Sequence, residues 1–270
     1  MKSYHSFAWK ELKAQKITSI LILIAIILST MMTTVIGQSW GILQALRVQQ
    51  AQNLNGNRYA TFHNLTYDQK TILEKDGRLS FVGSHIVLGT SRLKNSGISL
   101  QLREYDENGL PIYPAISKLK KGRLPEKAGE IALPQDALDY MGFKGDIGDT
   151  ITLDLYVSLF RDAEVFYEYQ ADFTLSGILQ SNYLGYGSGV VIGIAGSGTA
   201  EELLPQKYLV YSTDFRTADK GSFQHTVNDL AVKTGVSKTI SSTTGFILMR
   251  WGLSMIKEIL MKEKPEAFPT

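Results

Sequence analysis

From Ile17 to Ile36 the chain reads ITSILILIAIILSTMMTTVI, twenty consecutive residues without a charge. A helix rises about 1.5 Å per residue, so a run of that length crosses roughly 30 Å, the thickness of the bilayer's hydrocarbon core. Twenty uncharged residues leave a soluble helix no polar face to turn to water. The polar members are Ser and Thr, whose hydroxyls bond back to helix carbonyls and are tolerated in lipid. Charge does not return until Arg47, and Trp40 falls near the exit, where an interfacial ring belongs. A cleaved signal carries a shorter apolar core, about 7–15 residues, and a small-x-small site. This run is longer and no A-x-A follows it. The pattern predicts a transmembrane helix over 17–36.

Lys2, Lys10, Lys13 and Lys16 precede the run against Glu11 alone. The positive-inside rule then places the N-terminus in the cytoplasm and Gln38 onward outside. The segment 1–16 is basic and partly amphipathic. It reads either as an interfacial stretch with Trp9 at headgroup depth or as a charged flank.

Beyond the anchor, 37–58 is expected as a helical stalk, with Ile42 and Leu46 on one side and a C-cap pair at Asn55-Gly56. A domain is expected over 59–245. In TYDQKTILEKDG, Thr66 caps a helix, Gln69 completes a capping box and Gly77 stops it. LSFVGSHIVLGTSRL and ISLQLREYD alternate as strands. A loop is expected at Lys120–Pro125, a short strand at Glu130–Leu133, a helix at Gln135–Met141 and a turn through Gly142–Gly148. DTITLDLYVSLF and EYQADFTLSGIL predict a long antiparallel pair joined by RDAEV. The glycine-rich stretch ending at Gly193-Ile-Ala-Gly196-Ser-Gly198 is expected as a flexible loop or tight turn. A helix or turn at Thr199–Leu204, a strand KYLVYSTDF and a helix around Ser222–Thr234 follow. Strands and helices mix without a βαβ rhythm, which predicts an α+β domain. The tail 246–270 is partly amphipathic. Arg250, Lys257 and Glu258 interrupt it, and no second clean span is present in it.

Composition narrows the functions. The 28 basic and 26 acidic residues nearly cancel, which argues against nucleic acid as a partner. With no cysteine, disulfides, thiolate metal sites, iron–sulfur clusters and thiol catalysis are excluded. His5, His63, His85 and His225 show no ligand spacing. The Gly193–Gly198 stretch lacks the Lys-Ser/Thr of a phosphate loop, and no G-x-S-x-G elbow occurs. Asn64-Leu65-Thr66 fits a glycosylation acceptor, but Thr66 is better used as a cap. No residue is marked as catalytic and no cofactor or metal is expected.

Five stretches carry a family signature. AWKELKAQKITSILILIAIILS resembles the start of FtsX-like (MacB-type) ABC-transporter permease subunits. Gly122-Arg123-Leu124-Pro125, then Glu130-Ile131-Ala132-Leu133, then Ile147-Gly148-Asp149-Thr150-Ile151, resemble the pattern of that family's extracytoplasmic core domain, and Phe173-Thr-Leu-Ser-Gly177-Ile178-Leu179 is similar to a later strand of it. The resemblance covers roughly residues 7–250. Chemically, Gly122, Arg123, Pro125, Glu130, Ile131, Gly148, Asp149 and Gly177 read as fold-holding residues: turns, a fixed loop and alternating core positions.

The resemblance implies a MacB-like periplasmic core domain, a cytoplasmic ABC ATPase subunit as partner, and further permease helices beside the first. It implies a non-enzymatic membrane subunit that couples ATP-driven motion to export or to an outside partner. Since the chain ends at Thr270, about where a second helix would begin, it is expected to represent the N-terminal part of such a subunit. Ala25, Ser29, Thr30, Thr33 and Thr34 are the expected helix-packing positions. The competing reading is a stand-alone anchored binding or sensor module. For contact with a partner, the segments Gly185–Gly198 and Phe160–Phe173 are the expected places.

Overall fold

A computed structural model describes residues 16–93, 97–160, 162–181, 189–219, 223–236 and 240–242. The expectations for 1–15, for the glycines at 185–188 and for 243–270 fall outside the described residues. Two compact units divide between Gln49 and Gln50.

Lys16–Asn55 forms one 40-residue helix, α1. Its stretch Lys16–Leu43 is long and apolar enough to cross a membrane, and none of its most apolar window is buried. Three threonine hydroxyls in the run are satisfied within the helix. Thr30 donates to the carbonyls of Ile26 and Ile27 at 2.9 Å, Thr33 to Ser29 at 2.9 Å and Thr34 to Thr30 at 2.8 Å. Each therefore carries no orphan donor into an apolar solvent. The helix ends at Asn55, and Gly56 turns the chain with φ +74°.

The second unit is α+β. Its elements are β1 (Ala60–Leu65), α2 (Tyr67–Glu74), β2 (Leu79–Arg92), β3 (Ser99–Tyr105), β4 (Leu119–Gly122) and β5 (Glu130–Pro134). They continue as α3 (Gln135–Met141), β6 (Thr150–Leu159), β7 (Asp162–Leu179), β8 (Val190–Ala195), α4 (Thr199–Leu203), β9 (Tyr211–Thr217), α5 (Phe223–Thr234) and β10 (Ile240–Ser242). The Thr66 capping box is present: Thr66 accepts from the Gln69 amide while the Gln69 side chain accepts from the Thr66 amide.

Six strands close a ring. β2 pairs β3, β3 pairs β8, β8 pairs β5, β5 pairs β7, β7 pairs β6, and β6 returns to β2. The β3–β8 and β5–β7 contacts are parallel and the others antiparallel. Alternation sends one face of each strand inward. Leu100, Leu102, Ile131, Leu133, Leu153, Leu155, Phe173 and Leu175 fill the interior and are at most 2 % exposed.

The glycine-rich stretch departs from expectation here. Val190–Ala195 is an interior strand between β3 and β5, flanked by turns at Gly189 and at Ser197-Gly198. A β-carbon on Gly193 would stand 2.7 Å from Leu133 Cδ2, so glycine serves the packing of the ring. The loop expected at Lys120–Pro125 begins as strand instead. Leu119–Gly122 pairs β7, because β7 runs 18 residues and offers an edge beyond β5. The strand expected from Lys207 starts at Tyr211, after a 3-10 turn that follows Pro205.

β2 is long enough to serve two sheets. Its first half pairs β9, which pairs β1, which pairs β10. This wing carries helices on one face. α5 buries Phe223, Thr226, Val227, Leu230, Ala231 and Thr234, spaced as one helical stripe. Beneath lie Ala60, Phe62, Leu65, Leu73 and Phe215, all fully buried, with the Phe62 and Phe215 rings edge to face at 5.1 Å. The other face is polar.

Candidate functional site

On the polar face of the wing, Asp214 is 0 % exposed and surrounded by donors. Register makes this so: Thr61 on β1 and Gly83 on β2 both lie opposite Asp214 on β9. Arg58 Nη1 and Thr61 Oγ1 each donate to Asp214 Oδ1 at 2.5 Å, and the Tyr113 hydroxyl donates to Oδ2 at 2.7 Å. Arg58 also donates to the Thr61 hydroxyl. His85 Nδ1 lies 3.3 Å from Oδ2 without the alignment of a hydrogen bond. Burial by itself would raise the Asp214 carboxyl, but the Arg58 charge and the donated hydrogen bonds outweigh it and hold it well below the usual carboxylate range.

Two histidines flank this pair. His63 contacts Ser212 Oγ at 3.0 Å through Nδ1 and stacks on Phe160, with ring centres 3.9 Å apart. Burial, then the neighbouring His85 and Arg58, lowers the His63 pKa to about 3. Burial lowers His85 as well. Tyr105 and Tyr113 stand against the His85 ring, and Arg103 donates to Gln101 at 2.7 Å. Both imidazoles are thus neutral at pH 7, and the one full carboxylate is consumed by its donors. Such a node holds chain segments together.

What it holds is the start of the domain. Arg58 follows the end of α1 by three residues. The Asn57 amide donates to the Ile112 carbonyl at 2.7 Å and the Tyr59 amide to the Phe215 carbonyl at 3.0 Å. On the other side of β1 runs β10, with Ala60 opposite Ser242. The first and last described strands of the domain are therefore neighbours.

The residues that carried the family pattern converge at one corner of the ring. Arg123 forms a two-pronged pair with Glu130 at 2.8 and 2.5 Å. Glu130 also accepts from the amides of Glu126 and Lys127, just after Pro125. Arg123 pulls the Glu130 pKa down to about 2. Being about half exposed at Arg123, this pair orders the bend more than it stabilises the fold. Gly122, at φ +80°, and Gly177 face one another in the β4–β7 pair. A β-carbon on Gly177 would lie 2.2 Å from the Arg123 carbonyl oxygen. The Gly148 amide donates to Leu175 O at 2.8 Å, and Asp149 accepts from the Asp146 amide at 2.7 Å. Ile131 points into the ring interior, fully buried.

Sequence reasoning did not find the Asp214 node. Its members are spread from position 58 to 214, and the one local signal is an aspartate inside a strand pattern, YSTDF. Among the described residues, no group of three or more His, Asp or Glu side chains is arranged to hold a metal ion.

No family model matches the chain, and no curated protein matches it. Among solved structures it is similar to the extracellular domain of the noncanonic ABC-type transporter YknZ from Gram-positive bacteria, at 10 % identity and a TM-score of 0.44, over 69 % of this chain and 100 % of that one. It is similar to the periplasmic region of MacB from Actinobacillus actinomycetemcomitans, at 14 % identity and a TM-score of 0.45, over 78 % and 95 %. A permease-protein domain from Porphyromonas gingivalis matches at 13 % identity and a TM-score of 0.34, over 64 % and 71 %. Identity this low transfers no residue role.

Proposed function

We propose that the chain is a permease subunit of an FtsX-like, MacB-type ABC transporter, anchored by α1 with its α+β domain outside the membrane. In this reading a cytoplasmic ATPase subunit supplies the energy and the outer domain transmits motion to exported material or to an outside partner. The single observation that carries the reading is the corner built by Gly122, Arg123, Glu130, Gly148, Asp149 and Gly177. Residues that match the family pattern in four separate stretches of sequence interlock in space, as parts of one inherited fold element would. Their role in this reading is to hold the fold.

The ends of the domain fit the same use. A domain inserted between membrane helices must take the chain in and return it at one place, and β1 and β10 lie side by side with Ala60 opposite Ser242. The Arg58–Asp214 pair fixes the incoming end to the middle strand of the wing.

Affinity capture of the intact chain from its native membranes tests this. The expected result is a stoichiometric nucleotide-binding subunit that hydrolyses ATP. Recovery of the chain with no ATPase, under detergent conditions that keep other ABC complexes whole, contradicts it and favours a stand-alone sensor.

A further inference from the structure

The ring closes through an uneven seam. β6 pairs β7 along its full length but meets β2 at one residue pair, Thr90 with Tyr156. The strands touch there because Gly89 has no side chain: a β-carbon would lie 3.0 Å from Leu155 Cβ. Past that point β2 continues through Ser91 and Arg92 on β3, and among the described residues no ladder joins it to β6. A groove of about 840 Å³ opens in the gap, lined by residues of β2, β6 and β7. A strand edge left without a partner is a template for an extended chain.

The groove's chemistry is one-sided. Tyr156 lies opposite Glu168 on the hairpin's outer face, and Asp154 opposite Gln170 two residues along. Gln170 donates to Asp154 Oδ1 at 2.6 Å, which fixes that carboxylate. Asp172 extends the same face and accepts from Thr152. Two exposed carboxylates, Asp154 and Glu168, line the groove, and among its lining residues one cation answers them: the Arg92 guanidinium, 5.9 Å from the centre of the Tyr156 ring. Among the described residues Arg92 makes no carboxylate ion pair. The chain itself thus demonstrates that Tyr156 accepts a cation on its face.

We propose that this seam is a docking groove for an extended, basic segment of an outside protein partner. The segment adds its backbone to the open edge of β6, and a Lys or Arg side chain takes the place of Arg92 over Tyr156, between Asp154 and Glu168. The proposal rests on the reading above only for the domain's side of the membrane, since docking itself requires no ATPase.

The test uses the full chain in detergent and a fluorescein-labelled decapeptide alternating lysine with threonine and valine. Binding is read by anisotropy at low and moderate salt. Saturable binding that weakens with salt is expected. Binding should be roughly tenfold weaker for Asp154→Asn/Glu168→Gln, and several-fold tighter for Arg92→Ala, which removes the internal competitor. These side chains are exposed, and an unchanged melting curve verifies the fold of each variant. Equal binding of a glutamate-for-lysine peptide, weaker binding by Arg92→Ala, or no effect of the double substitution overturns the proposal. Each result is independent of whether an ATPase is captured with the chain.

Discussion

The side-chain amide of Asn64 clasps the main chain of Phe160 from both sides: Nδ2 donates to the Phe160 carbonyl at 3.0 Å, and Oδ1 accepts from the Phe160 amide at 3.0 Å. Asn64 sits in β1, which follows the membrane helix; Phe160 sits at the tip of the β6–β7 hairpin. The clasp therefore fastens the wing to the ring. It also explains why Asn64 adopts φ +57° within a strand, where β1 shifts register against β9 between Phe62 and Leu65. Asparagine tolerates that region better than most residues. Asn64→Ala is expected to lose both hydrogen bonds and keep the backbone strain, costing about 2–4 kcal/mol. Asn64→Gly loses the bonds but not the allowed geometry, and costs less. Urea unfolding of the two variants, compared with wild type, checks the order.

The Arg58–Asp214 pair gives the second prediction. Removing one partner leaves the other buried and uncompensated, so Asp214→Asn or Arg58→Met is expected to cost about 3–5 kcal/mol. Thermal unfolding measures it. A change within 0.5 kcal/mol, about the noise of surface substitutions, contradicts the role assigned to this pair.

The histidines set a pH dependence. His63 and His85 are held neutral in the fold, His63 at about 3, while in the unfolded chain they protonate near the ordinary value of about 6.5. The unfolded state takes up protons first as pH falls. Stability is therefore full above about pH 6.5 and declines below it, by at most about 1.4 kcal/mol per pH unit per ring. Asp214, held low, adds a loss only as pH drops below about 4. Urea midpoints between about pH 7.5 and 4.5 should fall, and His63→Gln should flatten the slope.

The proposed sidedness rests on the four lysines ahead of the helix. The chain has no cysteine, so single introduced cysteines report cleanly. In intact cells an impermeant maleimide should label Asn108→Cys and spare Ser6→Cys. The reverse pattern overturns the orientation.

Local chemistry was legible in the sequence wherever neighbours in sequence are neighbours in space. Thr66 and Gln69 cap a helix three residues apart, and the alternation of Thr150–Leu159 with the residues before Leu179 fixes a hairpin. The ring was not legible. Its closure depends on parallel partners far apart in sequence, such as Leu102 with Gly193, and on one bridge at Thr90–Tyr156. Gly193 misled because glycine signals a turn by its freedom but here serves by its small size. Arg123 and Glu130, seven residues apart, were named together for their pattern, and their pairing emerged only with the bend at Pro125. Arg58 and Asp214 are 156 positions apart, and nothing local in either foretells the other.

In the proposed function, ATP hydrolysed on one side of the membrane moves the domain on the other. Hydrogen–deuterium exchange on the captured complex, with and without ATP and vanadate, reads that motion. A nucleotide-dependent change in amide exchange is expected over 57–65, where the chain enters the wing, and at the Phe160 hairpin clasped by Asn64. Identical uptake at both places in both states would contradict it.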